Sequence, residues 1–297
     1  MYALGGGKIC LGVLSISIGS LLFIACGGSE SEEDEGGGGL VVQQDAGHSA
    51  ADAGVSEDDA GGGEFISIPA GSYVLSHDVN ATSQVFHAGD TVSVQAFLLQ
   101  KTPVTVAQFE KCVAARACTR SHYKTRSEDL YESCNYDCAK CKNKNHPMNC
   151  VDWYGANEYC EWIGGRLPEE YEWEYAATHN GTQPLNTKYP WGDSNPDTAK
   201  ANFDLRETTA VGKYSPAGDS PLGLVDMSGN VQEWTHFEKI PYTEKIPRLK
   251  GGSAWSNYFG EDGCGEHCAK DLDITNHSTN YNDPSRMERS FGFRCAK

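Results

Sequence analysis

The sequence predicts a loop-rich α+β domain stapled by disulfides. Three observations carry that prediction. Two helix-type patterns flank the turn Gly164-Gly165-Arg166-Leu167-Pro168. Short stretches at residues 64–68, 91–99 and 291–295 have strand character, the last two through apolar alternation. Twelve cysteines are present, and ten remain when Cys10 and Cys26 near the N-terminus are set aside, an even number that reads as a disulfide framework in an exported chain.

The leader comes first. Residues 1–25 read as an export signal, with Lys8 as the positive charge and an apolar run over 11–24 interspersed with Ser and Gly. A membrane span needs about 20 apolar residues, so this run is too short for one. It ends in Leu21-Leu22-Phe23-Ile24-Ala25-Cys26, which resembles a lipobox with Cys26 as the lipidated residue and Phe23 where leucine is usual. An ordinary signal peptide with a fortuitous cysteine is the other reading. Lipidation predicts a membrane-anchored protein of the cell envelope, facing the periplasm or exterior.

Residues 26–63 are dominated by Gly, Ser, Ala and acid. They hold ten carboxylates and no Lys or Arg, and Lys8 is the leader's only charge; of the chain's net −17, residues 64–297 therefore carry −8. Such a segment buries too little apolar surface to offset its ordering entropy, which predicts a flexible, self-repelling tether. The domain, 64–297, is moderately acidic. Nucleic-acid binding is disfavoured, because it calls for a basic face.

Within the domain, Thr105 followed by Gln108 makes a capping box, and Phe109, Cys112, Val113 and Arg116 follow at helical spacing. Cys112 and Cys118 are close enough for a local bridge. Residues 119–145 look like a polar insertion carrying Cys134, Cys138 and Cys141. With Cys150 they form C-x3-C-x2-C-x8-C beside His146. Disulfides are the favoured reading in an oxidising compartment, and a thiolate zinc site is the alternative. Asp152 is a natural N-cap, and Trp153, Ala156, Cys160 and Ile163 recur on one helical face. Gly164-Gly165 ends that helix. Pro168 opens the next one, with Glu169, Glu170 and Glu172 at its positive end and Trp173, Ala176 and Ala177 facing inward. Trp153, Trp162 and Trp173 are read as core packing.

The stretch from Asn145, NHPMNCVDWYGANEYCEWIGGRLPEEYEWEYAAT, resembles the signature of the formylglycine-generating enzyme family, also called sulfatase-modifying factors. Further matches are the opening near Ile68-Pro69-Ala70-Gly71, Tyr189-Pro190-Trp191-Gly192, GLVDMSGNVQEW from Gly223, Gly251-Gly252-Ser253, and the closing Gly292-Phe293-Arg294-Cys295-Ala296. Together they cover about residues 64–297. The resemblance implies a C-type-lectin-like fold with small antiparallel sheets, long loops and two main helices. It also implies a disulfide between Cys160 and Cys295.

In GLVDMSGNVQEW the resemblance implies a structural calcium ion, with carboxylates from Asp226 and Glu233 and carbonyls from Gly229 and Val231. A hard cation takes such oxygens at about 2.3–2.6 Å. The alternative is a capped turn in which Asp226 bonds backbone amides. Family members also use an Asn matching Asn202 in another calcium site, completed by a longer acidic loop that this chain lacks before Ala210.

The family's reaction centre follows GGSW-x-C-x4-C, whose two thiolates bind copper; soft sulfur suits Cu(I). Here Gly251-Gly252-Ser253-Ala254-Trp255 is followed by Ser256 and Asn257 where the first cysteine belongs, and by Glu261 and Asp262 where the second belongs. The histidine pattern H-x3-H-x-E of the ergothioneine-pathway branch is absent, as are G-x4-GK[ST] and G-x-S-x-G. Two functions follow as expectations. One is a non-catalytic binding or scaffolding protein for a protein, peptide or glycan ligand. The other is a copper-dependent oxidoreductase that converts a target cysteine to formylglycine, with Cys264 and Cys268 as displaced copper ligands.

Overall fold

The computed structural model describes residues 62–80, 85–128, 133–136, 144–237, 247–256, 270–276 and 283–297. The expected leader, Cys26 and nearly all of the expected tether lie outside the described residues, as do Cys138, Cys141, Cys264 and Cys268.

Six short strands come first: β1 (Phe65–Ile68), β2 (Gly71–Val74), β3 (Val79–Asn80), β4 (Val85–Phe86), β5 (Thr91–Val94) and β6 (Phe97–Gln100). They form antiparallel pairs β1–β6, β2–β5 and β3–β4. The 91–99 alternation is thus two strands, broken at Gln95-Ala96, and each half pairs with a different partner. Three helices follow, α1 (Val106–Ala114), α2 (Trp153–Trp162) and α3 (Glu170–Thr178), and then β7 (Gln232–Trp234), β8 (Leu249–Lys250) and β9 (Phe291–Gly292). β7 lies between β8, antiparallel, and β9, parallel. The parallel pair departs from the expected all-antiparallel pattern. It is feasible because more than fifty residues separate β7 from β9, ample for a crossover.

The helix ends follow local chemistry. Thr105 caps α1 through the Gln108 amide, and the Gln108 side chain accepts from the Thr105 amide at 2.8 Å. Asp152 caps α2 through the Gly155 amide at 2.8 Å, an interaction worth about 1 kcal/mol. Gly164 ends α2 at φ +75°, a conformation that costs glycine little. Pro168 lies one residue before the N-cap Glu169 rather than at the first helical position. Its carbonyl instead accepts from the His236 amide at 2.7 Å. Glu172 closes the N-terminus of α3 by accepting from the Glu169 amide at 2.9 Å, and it pairs with Arg166.

Apolar burial falls into two main clusters. One gathers Phe109, Tyr159, Trp234 and Phe293 around α1 and α2. The other gathers Tyr73, Leu99, Trp173 and Tyr175 around α3 and the first strands. The final segment runs between them. Phe293, Arg294, Cys295 and Ala296 are all buried, so its alternation does not separate a wet face from a dry one. Cys112 is bonded to Cys118, Cys134 to Cys150, and Cys160 to Cys295. The Cys134–Cys150 bond removes two of the four thiolates that the zinc reading needed, so that reading fails.

Candidate functional site

The loop after β8 is built on glycine. Gly251 has φ +89°, and a Cβ there would lie 2.6 Å from the Met227 carbonyl and 3.2 Å from the Trp173 ring. Gly252 has φ +65°, with the Asp271 carbonyl 2.7 Å from where a Cβ would stand. The chain then closes a tight turn. The Ser256 amide donates to the Ser253 carbonyl at 3.0 Å, and the Ser253 amide donates to Ser256 Oγ at 2.9 Å. Ser256 therefore stands at the first expected thiol position as a turn-closing hydroxyl. Trp255 is buried beside it, with the Arg289 guanidinium 5.5 Å from its ring centroid. Asn257, Glu261 and Asp262 lie outside the described residues.

Beneath this loop, α3 carries acids that reach no solvent. Glu170 and Glu174 lie one turn apart on the helix and are both fully buried. Lys250, also fully buried, donates to Glu174 Oε1 at 2.5 Å and lies 3.7 Å from Glu170 Oε1. His77 Nε2 lies 3.0 Å from Glu174 Oε1 and 3.9 Å from Glu170 Oε1. The Tyr73 hydroxyl donates to Glu174 Oε2 at 3.3 Å. Burial alone would lower the His77 pKa; its pairing with the Glu170 and Glu174 carboxylates outweighs that and raises it to about 9. His77 is therefore charged at neutral pH. Two carboxylates then face two cations, and the set is neutral. His77, Glu170 and Glu174 present ligand atoms within 4.8 Å of one another, as a metal would require. Lys250 already supplies positive charge there, so the arrangement is a closed ion network.

The predicted calcium residues are Asp226, Gly229, Val231 and Glu233. Glu233 accepts from Trp173 Nε1 at 2.8 Å and from Arg294, Nε to Oε2 at 2.7 Å and Nη2 to Oε1 at 2.8 Å. Arg294 also donates to the carbonyls of Gln100, Lys101 and Val225. Most of the Glu233 acceptor capacity is thus spent inside the protein. Asp226 accepts from the Gly212 amide at 3.0 Å and from Asn230 at 3.4 Å. Burial pushes its pKa up to about 6, against the pull of the Gly212 amide and Arg294. The carbonyls of Gly229 and Val231 accept no hydrogen bond among the described residues. A buried carboxylate whose hydrogen bonds both go to one oxygen, in the same short segment as two carbonyls without donors, suits an oxygen-seeking cation. Asp226, Gly229 and Val231 would do most of the holding, and Glu233 would contribute one remaining lone pair. Asn202 is tied into the same loop, its carbonyl accepting from the Asn230 amide at 2.7 Å.

The model of the sulfatase-modifying factor enzyme 1-like domain matches residues 52–297. The chain belongs to that family. It is similar to the serine/threonine-protein kinase pkn1 of Chlamydia pneumoniae, 32% identical over 216 residues, covering 69% of this chain and 33% of that protein. It is similar to inactive C-alpha-formylglycine-generating enzyme 2 of Bos taurus, 32% identical over 160 residues and half of each chain. Hercynine oxygenase of Mycolicibacterium smegmatis is 36% identical over 107 residues, 35% of this chain and 25% of that protein. The chain thus spans about a third of the length of the kinase relative it matches. Among solved structures, PvdO from Pseudomonas aeruginosa gives a TM-score of 0.55 at 21% identity, covering 82% of this chain and 97% of that one. CarF gives 0.53 at 20% identity, covering 78% and 97%. At these identities the likeness shows the fold.

In this sulfatase-modifying factor domain the sequence reading missed the ion network. Its signal was present but divided. Glu170 and Glu174 are spaced i, i+4, His77 lies about ninety residues before them, and Lys250 directly precedes Gly251. Only the packing of β8 and the β2–β3 connection over α3 brings these residues together.

Proposed function

We propose that the domain is a non-catalytic binding or scaffolding module, held at the cell envelope by a lipid anchor on Cys26. One observation carries this. The turn after Gly251-Gly252-Ser253 uses Ser256 as a hydroxyl cap at the first expected thiolate position, and the alternative positions Asn257, Glu261 and Asp262 are also not cysteine. Oxygen and amide ligands do not replace a thiolate pair toward Cu(I). Similarity to a relative named as an inactive formylglycine-generating enzyme supports the reading. The ligand is a protein, peptide or glycan, and calcium at Asp226, Gly229, Val231 and Glu233 is a structural part of the proposal.

The test is anaerobic Cu(I) titration followed by oxygen uptake with a cysteine-containing peptide. The expected result is no copper-dependent oxygen consumption above that of the peptide alone. Turnover abolished by Cys264→Ser or Cys268→Ser would establish the oxidoreductase instead. For the anchor, Cys26→Ala is expected to move the protein from the membrane fraction to the soluble fraction.

A further inference from the structure

Strand β2 has one open edge. On its other side the Leu75 amide donates to the Asp90 carbonyl at 3.0 Å, and the Gly89 amide donates to the Leu75 carbonyl at 2.8 Å. Hydrogen-bonded and non-bonded pairs alternate along an antiparallel ladder. Gly71 and Tyr73 therefore bond to β5, while Ser72 and Val74 turn their N–H and C=O groups away from it. Those groups have no hydrogen-bond partner among the described residues. Charge or proline commonly guards such an edge, and Gly71-Ser72-Tyr73-Val74 carries neither. Val74 is 58% exposed.

The end of β2 lines a cavity of about 380 Å³, whose apolar lining includes Val74, Leu185 and Ile274. Its other walls are held to each other. The Ile274 amide donates to the Lys188 carbonyl at 2.9 Å, and Asp273 Oδ1 accepts from the Thr275 amide and hydroxyl at 2.9 and 2.8 Å. Polar groups with spare capacity line the same cavity. The Asn186 side-chain amide and the Lys188 ammonium make no hydrogen bond or ion pair among the described residues, and Asp273 Oδ2 accepts none.

A bare strand edge recognises another extended backbone, because only that repeats N–H and C=O groups at the matching spacing. A glycan offers no such repeat. Alternate side chains of an added strand share one face, so those turned to the cavity meet Lys188 and Asp273 together. One wall cation and one wall anion call for the opposite pair on the ligand.

We infer that the β2 edge and this cavity form one site for an extended segment of a partner protein, with an acidic and a basic side chain at alternate positions. The inference rests on the binding reading above and gives it a place and a ligand class.

The test is amide hydrogen exchange on the full chain, with and without the end-blocked peptides Thr-Val-Glu-Val-Lys-Val and Thr-Val-Lys-Val-Glu-Val. One of them is expected to slow the Ser72 and Val74 amides at least about tenfold, while the Tyr73 amide, bonded to β5, keeps its rate. Lys188→Glu should weaken that peptide at least about tenfold, and lysine in place of its glutamate should restore binding. Val74→Pro removes a donor from the open edge without touching the β5 ladder, so it should prevent binding at an unchanged melting temperature. Ser72 and Val74 amides already protected in the free chain would overturn the inference, since the edge would then be covered. Binding that leaves both amides unprotected would overturn this site and leave the binding reading standing. No saturable binding of either peptide at millimolar concentration would also overturn the site, and the copper titration tests the binding reading separately. Lys188→Glu binding as tightly as the wild type would overturn the charge assignment.

Discussion

Arg294 grips Glu233 through two parallel hydrogen bonds, and neither side chain reaches solvent to a meaningful extent. Trp173 adds a third hydrogen bond to the carboxylate from α3, and three carbonyls take up the remaining guanidinium donors. The pair ties β7 to the closing segment. Removing one partner leaves a buried charge alone, a change that costs about 3–5 kcal/mol.

Glu233→Ala should therefore lower stability by about that amount in chelator as well as in calcium, as read from urea midpoints. It does not isolate the cation. Asp226→Asn does. Calcium should raise the melting temperature of the wild type, and Asp226→Asn should abolish that increment while costing less than about 1 kcal/mol in chelator. A calcium increment that survives Asp226→Asn would remove Asp226 from the site.

Asp226 also sets a pH dependence in chelator. Its folded pKa is raised to about 6, above its ordinary value of 3.8. The folded state then holds the proton more tightly, so this contribution is full below 3.8 and is lost as pH rises through 6. The wild type should lose stability across that window relative to Asp226→Asn.

His77 acts in a higher window. Its pKa of about 9 exceeds the ordinary 6.5 because Glu170 and Glu174 overcome the burial penalty. Its contribution should be complete below pH 6.5 and vanish as pH rises through 9, a loss of roughly 2–3 kcal/mol. Urea titrations of the wild type and His77→Ala should differ most at pH 6 and converge near pH 10. Parallel curves would show that His77 does not titrate with folding.

The disulfides should rank by the loop each closes. The chain-entropy relation gives about 2, 3 and 5 kcal/mol for loops like those closed by Cys112–Cys118, Cys134–Cys150 and Cys160–Cys295, whose separations are 6, 16 and 135 residues. Pairwise serine variants compared by chemical denaturation should follow that order.

Gly251→Ala should cost more than about 2 kcal/mol. It adds a Cβ 2.6 Å from the Met227 carbonyl at φ +89°, where neither backbone nor ring yields cheaply. A variant as stable as the wild type would mean that this loop relaxes freely.

The helices, their caps and the turn at Gly164 were legible in the sequence because each rests on residues within a few positions of one another. The missing thiol pair was equally legible, since chemistry at Ser256 or Asn257 follows from residue identity alone. Burial of charge was not. Glu169, Glu170 and Glu172 read as acids favouring a positive helix end, yet Glu170, with Glu174 one turn further on, lies buried beside Lys250 and His77 from other parts of the chain. Glu233 likewise reads as a cation ligand until Arg294 closes on it from sixty-one residues away. A local pattern determines the backbone path and the available functional groups. Only tertiary packing decides which of those groups lose water, and a carboxylate without water takes whatever cation the fold brings to it.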